Sequence, residues 1–276
     1  METHHQPRQM YANHKMCLDH AKIEAYLAGK NIYPRTIEID LINRCSRACP
    51  ACPSAGSTMP PAVLTDRFVD RLLGILEGET HGVILSGGEP TISPYFAEIM
   101  RIARQRQFQE VAVITNGSEL ERPEIQAALL EYGTSVRVSL YDWYDGDEPK
   151  TYFFKQLERI AGLRRRVEET GSRLEIGVSL LTSRRRLPAL LRAVGPAGGS
   201  GAHWVYFHPL CQNWLDGVPV QEDQAGVLPV LLSLRENAPP GVNVYVPEQR
   251  YTSYPLVFTS FHAAHFLMQI GANGVN

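Results

Sequence analysis

Short apolar and β-branched runs alternate with helical patterns along most of the chain. Thr36–Leu41 alternates as TIEIDL and is rich in isoleucine, which predicts a strand. Gly82–Ser86 (GVILS) and Val111–Thr115 (VAVIT) are compact apolar runs, the form taken by buried parallel strands. Ser135–Leu140, Leu174–Leu181 and Trp204–Pro209 continue the series. Between them, Thr65 is placed to cap a helix with Phe68, Leu72 and Leu76 on one face. Ser93-Pro94 starts a second, with Phe96, Ile99, Met100 and Ala103 inward, and Pro123 opens a third that Gly133 ends. Phe153, Leu157, Ile160 and Val167 stripe a fourth helix, and Leu187, Leu190, Leu191 and Val194 a fifth. Gly198-Gly199-Ser200-Gly201 reads as a flexible loop.

Strands joined by helical crossovers coil with one hand, so the expected fold is α/β, a partial (β/α)6 TIM-like barrel short of the eight units that close a ring. The barrel core is expected over residues 35–212, with an N-terminal extension over 1–34 and a C-terminal extension over 213–276. That tail contains a strand-like NVYVPE piece and a helical pattern over Phe261–Ile270, and could cover the barrel mouth. In such sheets the loops at the C-terminal strand ends carry the chemistry.

Composition narrows the partners. With 44% hydrophobic and 20% charged residues, the chain is globular in type rather than disordered or membrane-spanning. The 27 basic and 29 acidic residues give a formal charge of -2, which does not favour a nucleic-acid surface. Met1–Lys15 has no apolar centre for a secretory signal, and no apolar run reaches bilayer length, so the expected compartment is the cytoplasm. The five cysteines, Cys17, Cys45, Cys49, Cys52 and Cys211, make a poor disulfide framework.

Three of them sit in Cys45-Ser-Arg-Ala-Cys49-Pro-Ala-Cys52-Pro, directly after the first strand. Thiolates are soft ligands that suit iron–sulfur clusters or zinc. Three thiolates leave one iron of a cubane cluster open, whereas a structural zinc site needs a fourth protein ligand and none lies nearby in sequence. Gly87-Gly88-Glu89-Pro90 follows the second strand. Paired glycines allow close backbone approach, and a carboxylate suits an ammonium.

The C-x3-C-x2-C spacing followed by GGEP on the next strand resembles the signature of the radical S-adenosylmethionine (radical SAM) superfamily. The resemblance covers roughly Thr36 to Leu210. It implies that Cys45, Cys49 and Cys52 hold a [4Fe–4S] cluster. It also implies that Gly87, Gly88, Glu89 and Pro90 receive the methionine amino group of S-adenosylmethionine. Reductive cleavage of that cofactor would give a 5′-deoxyadenosyl radical that takes hydrogen from a substrate. A one-electron donor such as flavodoxin or ferredoxin is implied as partner. Asn116 and Ser139 resemble positions near the cofactor, against the plainer readings of a turn and a small barrel-lining residue. Gly177–Leu180 resembles the adenine-packing strand. Ala51 departs from the aromatic residue common before the third cysteine, so Leu180 or Leu181 is the alternative adenine contact.

Substrate signals are weaker. Tyr141 and Asp142 follow the fourth strand near the expected mouth, whereas Asp145–Glu148 reads as a solvated loop. Arg184–Arg186 could fork onto a carboxylate or phosphate, or be a solvated helix start. His208 could exchange a proton, and Cys211 could donate a hydrogen atom or be a small buried hydrophobe. His262 and His265 lie one helical turn apart without an evident third ligand. Only Cys211 lies beyond the core motif, which argues against an auxiliary cluster. The expected substrate is a small polar metabolite: a sugar, nucleoside or amino-acid derivative. A peptide or RNA substrate is the alternative within this chemistry. A non-catalytic zinc or iron–sulfur module is the alternative outside it.

Overall fold

A computed structural model describes residues 19–49, 52, 60–141, 144–145, 148–210, 224, 226–238, 240–251 and 265–274. All six predicted strands are present: β1 Thr36–Ile42, β2 Gly82–Gly87, β3 Glu110–Thr115, β4 Ser135–Leu140, then, after a small hairpin (β5 Tyr144–Asp145, β6 Glu148–Pro149), β7 Glu175–Thr182 and β8 Trp204–Pro209. Two more come from the C-terminal part, β9 Asn243–Tyr245 and β10 Leu267–Ile270. The sheet runs β10-β1-β2-β3-β4-β7-β8-β9, with every neighbouring pair parallel. It is an open α/β barrel-like sheet whose ends do not pair with each other.

Helices α1 His20–Leu27, α2 Asp66–Leu76, α3 Phe96–Gln105, α4 Pro123–Tyr132, α5 Thr151–Thr170, α6 Leu187–Gly199 and α7 Val227–Glu236 complete the described architecture. Strand alternation sorts the side chains. Ile37, Ile39, Leu41, Val83, Leu85, Val136, Val138, Ile176, Val178, Val205 and Phe207 point to the helices and form one core with Val69, Leu73, Ile99, Leu129, Ile160 and Leu190. The concave face carries the alternate residues: Glu38 and Asp40 on β1, Ser86 on β2, Arg137 and Ser139 on β4, Ser179 on β7, and Tyr206 and His208 on β8. Alternation thus makes a dry outer layer and a polar lumen from the same strands.

Four expectations need correction. The first concerns Leu267–Ile270, predicted as part of a helix. It is a strand with alternating exposure that pairs its backbone with the outer edge of β1. Residues 261–264 of that predicted helix lie outside the described residues, and His265 and Phe266 are not α-helical. Gly198 and Gly199 are not loop but the last residues of α6. Its buried stripe Leu190, Ala193, Val194, Ala197, Gly198 keeps helical spacing, so packing overrides the low helix propensity of glycine. In α2 the inward face is Val69, Leu73 and Leu76, with Phe68 turned out. In α6 Leu191 is likewise exposed, while Ala189 and Ala193 face in. The Thr65 cap is as expected, its hydroxyl accepting from the Phe68 amide at 3.2 Å.

Gly177 has a packing reason. A Cβ there would lie 2.1 Å from the Trp204 indole, which crosses the strand at that point. Gly177→Ala is expected to lower unfolding free energy by about 1–3 kcal/mol, the usual range for overpacking. Chemical denaturation measures this. The Gly177→Ala/Trp204→Phe double variant should recover part of the loss, and a neutral single variant would contradict the packing account.

Candidate active site

The chain leaving β1 runs against the loop that follows β2. The Gly88 amide donates to the Ile42 carbonyl at 2.7 Å, and the Glu89 amide to the Arg44 carbonyl at 2.8 Å. Such an approach demands glycine. Gly87 adopts φ 120°, and a Cβ on Gly88 would stand 2.0 Å from the Arg44 carbonyl oxygen. Cys45 begins one residue beyond this clamp.

Glu89 is fully buried. One carboxylate oxygen accepts from the Thr91 amide and hydroxyl and from the Thr115 hydroxyl at 2.6 Å, while the other accepts from the Asn116 amide at 2.6 Å. Burial pushes its pKa up, and these four donors pull the other way. The sequence expectation sets this carboxylate against an ammonium. In the structure it ties the β2 loop to the end of β3. Pro90 is buried in the short turn Pro90–Ile92 that Glu89 caps.

Asn116 completes the clasp from β3. Its side-chain amide donates toward Cys45 Sγ at 3.4 Å and Ser46 Oγ at 3.1 Å. The Ser46 and Ser118 hydroxyls meet at 2.8 Å. From the start of α5, the Tyr152 hydroxyl donates to the Asn116 carbonyl at 2.7 Å, and its ring carries the Arg47 guanidinium 3.3 Å from its centroid. Burial pushes the Tyr152 phenol up to about 12, so it stays a donor. Sequence reasoning missed Ser46, Arg47, Ser118 and Tyr152, because nothing in periodicity marks a helix-start tyrosine as the partner of a loop on another strand.

Cys45 is exposed, Cys49 and Cys52 are half-buried, and all three thiols are free. The Cys52 amide donates to the Cys49 carbonyl at 3.0 Å, so the last two cysteines lie on one turn. Among the described residues no three His, Cys, Asp or Glu side chains converge to hold a single metal ion. A cubane cluster asks for something else, one thiolate at each of three separate corners. The donor set, three soft thiols on a loop whose first residues are fixed by Gly88 and Asn116, fits such a group.

The clamp glycines line a cavity of about 590 Å³. Glu38, Asp40, Ser86, Gly87, Gly88 and Arg137 are among its lining residues. The Ser86 hydroxyl lies 2.8 Å from Glu38 and 2.7 Å from Asp40, and the Gln269 amide donates to Asp40 at 3.3 Å. Glu38, Asp40 and Arg137 were not singled out from the sequence. Their signal was present as the polar phase of alternating strands.

The remaining predicted residues fall as follows. Ser139 lies on the concave face, paired in register with Ser179. Leu180 is in the outer core and Leu181 on the concave side, so of the two proposed adenine contacts only Leu181 faces the lumen. Tyr141 follows β4, its carbonyl accepting from Arg186 at 3.4 Å, with its ring centroid 6.3 Å from that of His208. Arg184 and Arg185 are exposed, whereas Arg186 is buried. His265 packs on Tyr26, with ring centroids 4.8 Å apart. Cys17, Ala51, Asp142, Cys211 and His262 lie outside the described residues.

The pattern of the Radical SAM superfamily matches residues 39–168, which contain the cysteine loop, the clamp and the Asn116 clasp. Residues 39–168 carry a radical SAM domain. Radical SAM proteins use a [4Fe–4S] cluster and S-adenosylmethionine. The chain is 29% identical over 161 residues to 7,8-dihydro-6-hydroxymethylpterin dimethyltransferase of Methanocaldococcus jannaschii, covering 56% of this chain and 30% of that protein. It is 31% identical over 121 residues to the probable GTP 3′,8-cyclase of Methanothermobacter thermautotrophicus, covering 43% of this chain and 38% of that one. The matches thus span about a third of each relative's length. Among solved structures, Streptococcus suis SuiB bound to S-adenosylmethionine shares the fold with a TM-score of 0.68 at 16% identity, covering 93% of this chain and 63% of that one. Among the described residues no helix is long and apolar enough to cross a membrane.

His208 is a strongly perturbed titratable group of this lumen. Burial first, then the charges of Arg137 and Arg250, lower its pKa from 6.5 to about 3. A depressed folded-state pKa means the unfolded chain binds the extra proton first, so His208 costs stability as pH falls from about 6.5 toward 3. Ring ¹⁵N NMR should find this imidazole neutral at pH 5, and midpoint titration near 6.5 would contradict the burial account.

Proposed function

We propose that this chain is a single-cluster radical SAM enzyme that starts its reaction by taking hydrogen from a small polar metabolite held in the lumen. The observation that carries the reading is the juxtaposition itself: three free thiols, the glycine clamp at the start of their loop, and a cavity of about 590 Å³ that the clamp glycines line together with Glu38, Asp40 and Arg137. In this reading Cys45, Cys49 and Cys52 hold the cluster. When bound and reduced, the cluster supplies the electron that splits S-adenosylmethionine into methionine and a 5′-deoxyadenosyl radical.

The protein's own residues do the positioning. Gly88 and Asn116 fix the start of the cysteine loop, at Ile42–Ser46. Gly87, Gly88, Glu89 and Pro90 form the shelf for the methionine amino group, and Glu89 acts on it by holding the loops of β2 and β3 in one piece. Ser139 and Leu181 offer a polar and an apolar contact from the concave face to the rest of the cofactor. Glu38, Asp40, Ser86 and Arg137 then face the substrate, and this charged lining favours a metabolite with polar groups of both signs. A sugar, nucleoside or amino-acid derivative fits that description. The names of the two relatives refer to a pterin and to GTP, which favours a nucleoside-like member of this class. A small one-electron carrier such as flavodoxin or ferredoxin is the proposed reductant.

Anaerobic reconstitution with iron and sulfide tests the reading. The protein should turn brown and, with dithionite, convert S-adenosylmethionine to 5′-deoxyadenosine. Replacing any one of Cys45, Cys49 or Cys52 by Ala should abolish that conversion, while Cys17→Ala should leave it nearly intact. A colourless protein that retains zinc would sink the reading, and cleavage by Cys49→Ala would overturn the ligand assignment.

A further inference from the structure

The β7–β8 side of the lumen holds polar atoms that the cysteine and glycine machinery does not use. Ser179 is fully buried on the concave face, and its hydroxyl has no partner. His208 lies on the same face of the neighbouring strand, displaced from Ser179 by two positions in the register, since Ser179 pairs with Tyr206 and Leu181 with His208. Its Nε2 is also buried without a partner. Unsatisfied buried polar atoms are rare and call for a reason. Two on adjacent strands, both facing the barrel interior, call for the same one.

The histidine tautomer shows what the corner can bind. A guanidinium nitrogen of Arg250 lies 3.2 Å from His208 Nδ1. Arginine only donates, so Nδ1 accepts and the neutral ring carries its hydrogen on Nε2. The orphan atom of His208 is therefore a donor. The Ser179 hydroxyl can donate as well. Arg250 has no acidic partner within 4 Å among the described residues. It sits in the turn Glu248–Arg250, whose following residue Tyr251 bonds Thr182 of β7 at 2.7 Å, so the cation is held over the strand ends. Arg137 connects this corner to the cavity: it lines the cavity, and its charge acts on His208. On the opposite wall stand the carboxylates Glu38 and Asp40. The corner thus gathers two orphan donors beside two guanidinium groups.

We propose that Ser179 and His208, backed by Arg250 and Arg137, form a subsite for an oxyanion of the substrate, a carboxylate or a phosphate. The neutral imidazole is suited to this role because it donates a directed hydrogen bond through Nε2 while the flanking guanidinium groups supply the charge. This assignment rests on the reading of the lumen as the substrate chamber.

The test uses cluster-loaded protein in the oxidised state with inorganic phosphate and acetate as probes, at constant ionic strength. Two-bond ¹H–¹⁵N spectra report the ring nitrogens, and the His208 signals are those lost in His208→Gln. The expected spectrum shows the Nε2–H tautomer at neutral pH, with a saturable shift of the Nε2 signal on adding one of the anions. Tighter phosphate binding marks a phosphate ester as the natural group, and tighter acetate binding a carboxylate. Calorimetry should find binding weakened about tenfold or more in Arg250→Ala and His208→Phe, the scale of a lost charge-assisted hydrogen bond. His208→Gln, whose amide keeps a donor near the Nε2 position, should stay within about threefold. Absence of a saturable His208 shift with both anions would overturn the proposal. So would anion affinity unchanged in both Arg250→Ala and His208→Phe, or stoichiometric displacement of the anion by S-adenosylmethionine, which would give the corner to the cofactor. S-adenosylmethionine cleavage is assayed separately, so failure of the radical reading registers there and leaves the anion result legible.

Discussion

Two backbone hydrogen bonds, from Gly88 to Ile42 and from Glu89 to Arg44, set the position of everything above the barrel. They hold the chain that leaves β1 against the loop that leaves β2. They form only because the second residue of the pair has no side chain to meet the Arg44 carbonyl. The GGEP segment is therefore a structural joint as much as a binding shelf. Glu89 extends the joint to β3 by accepting from Thr91, Thr115 and Asn116 with a carboxylate that no water reaches. Asn116 then turns back to Cys45, which closes a loop of contacts across three consecutive strands. A buried carboxylate with four donors is costly to rearrange, which gives the cysteine loop a fixed seat.

Beneath that seat, the same strands serve two solvents. Their outward residues are apolar and disappear into the helices, and their inward residues mix charged and hydroxylic groups with a few apolar ones such as Ile114 and Leu181. The charge is not evenly spread. Carboxylates stand on β1, whereas Arg137 on β4 and Arg250 beyond β9 act together on His208. A ligand that spans this lumen meets acceptors at one wall and donors at the other. Such a field orients a polar molecule beneath a fixed reactive position, the task that radical chemistry leaves to the protein.

Much of this was legible in the chain. The apolar runs of β2 and β3 and the alternation of β1 are strong because parallel strands bury one or both faces. The cysteine spacing and GGEP carried the family because both depend on local backbone geometry that few other residues satisfy. What stayed hidden was relational. Tyr152 sits at the start of α5, and only the fold brings it to Arg47 and Asn116. Leu267–Ile270 was read as helix because a short apolar segment does not announce a vacant sheet edge; it became a strand where β1 offered one. Leu180 and Leu181 look interchangeable in sequence, yet alternation sends one to the helices and the other to the lumen. Arg250 is distant in sequence from His208 and is tied to it through a turn that Tyr251 anchors.

The most direct measurement is Mössbauer spectroscopy of ⁵⁷Fe-reconstituted protein, recorded without and with S-adenosylmethionine. The account predicts a cubane spectrum in which one iron separates from the others when the cofactor is added, as a corner without a protein ligand gains new donors. A spectrum that stays unchanged on adding the cofactor, or a reconstituted protein with no cubane signal, would contradict it.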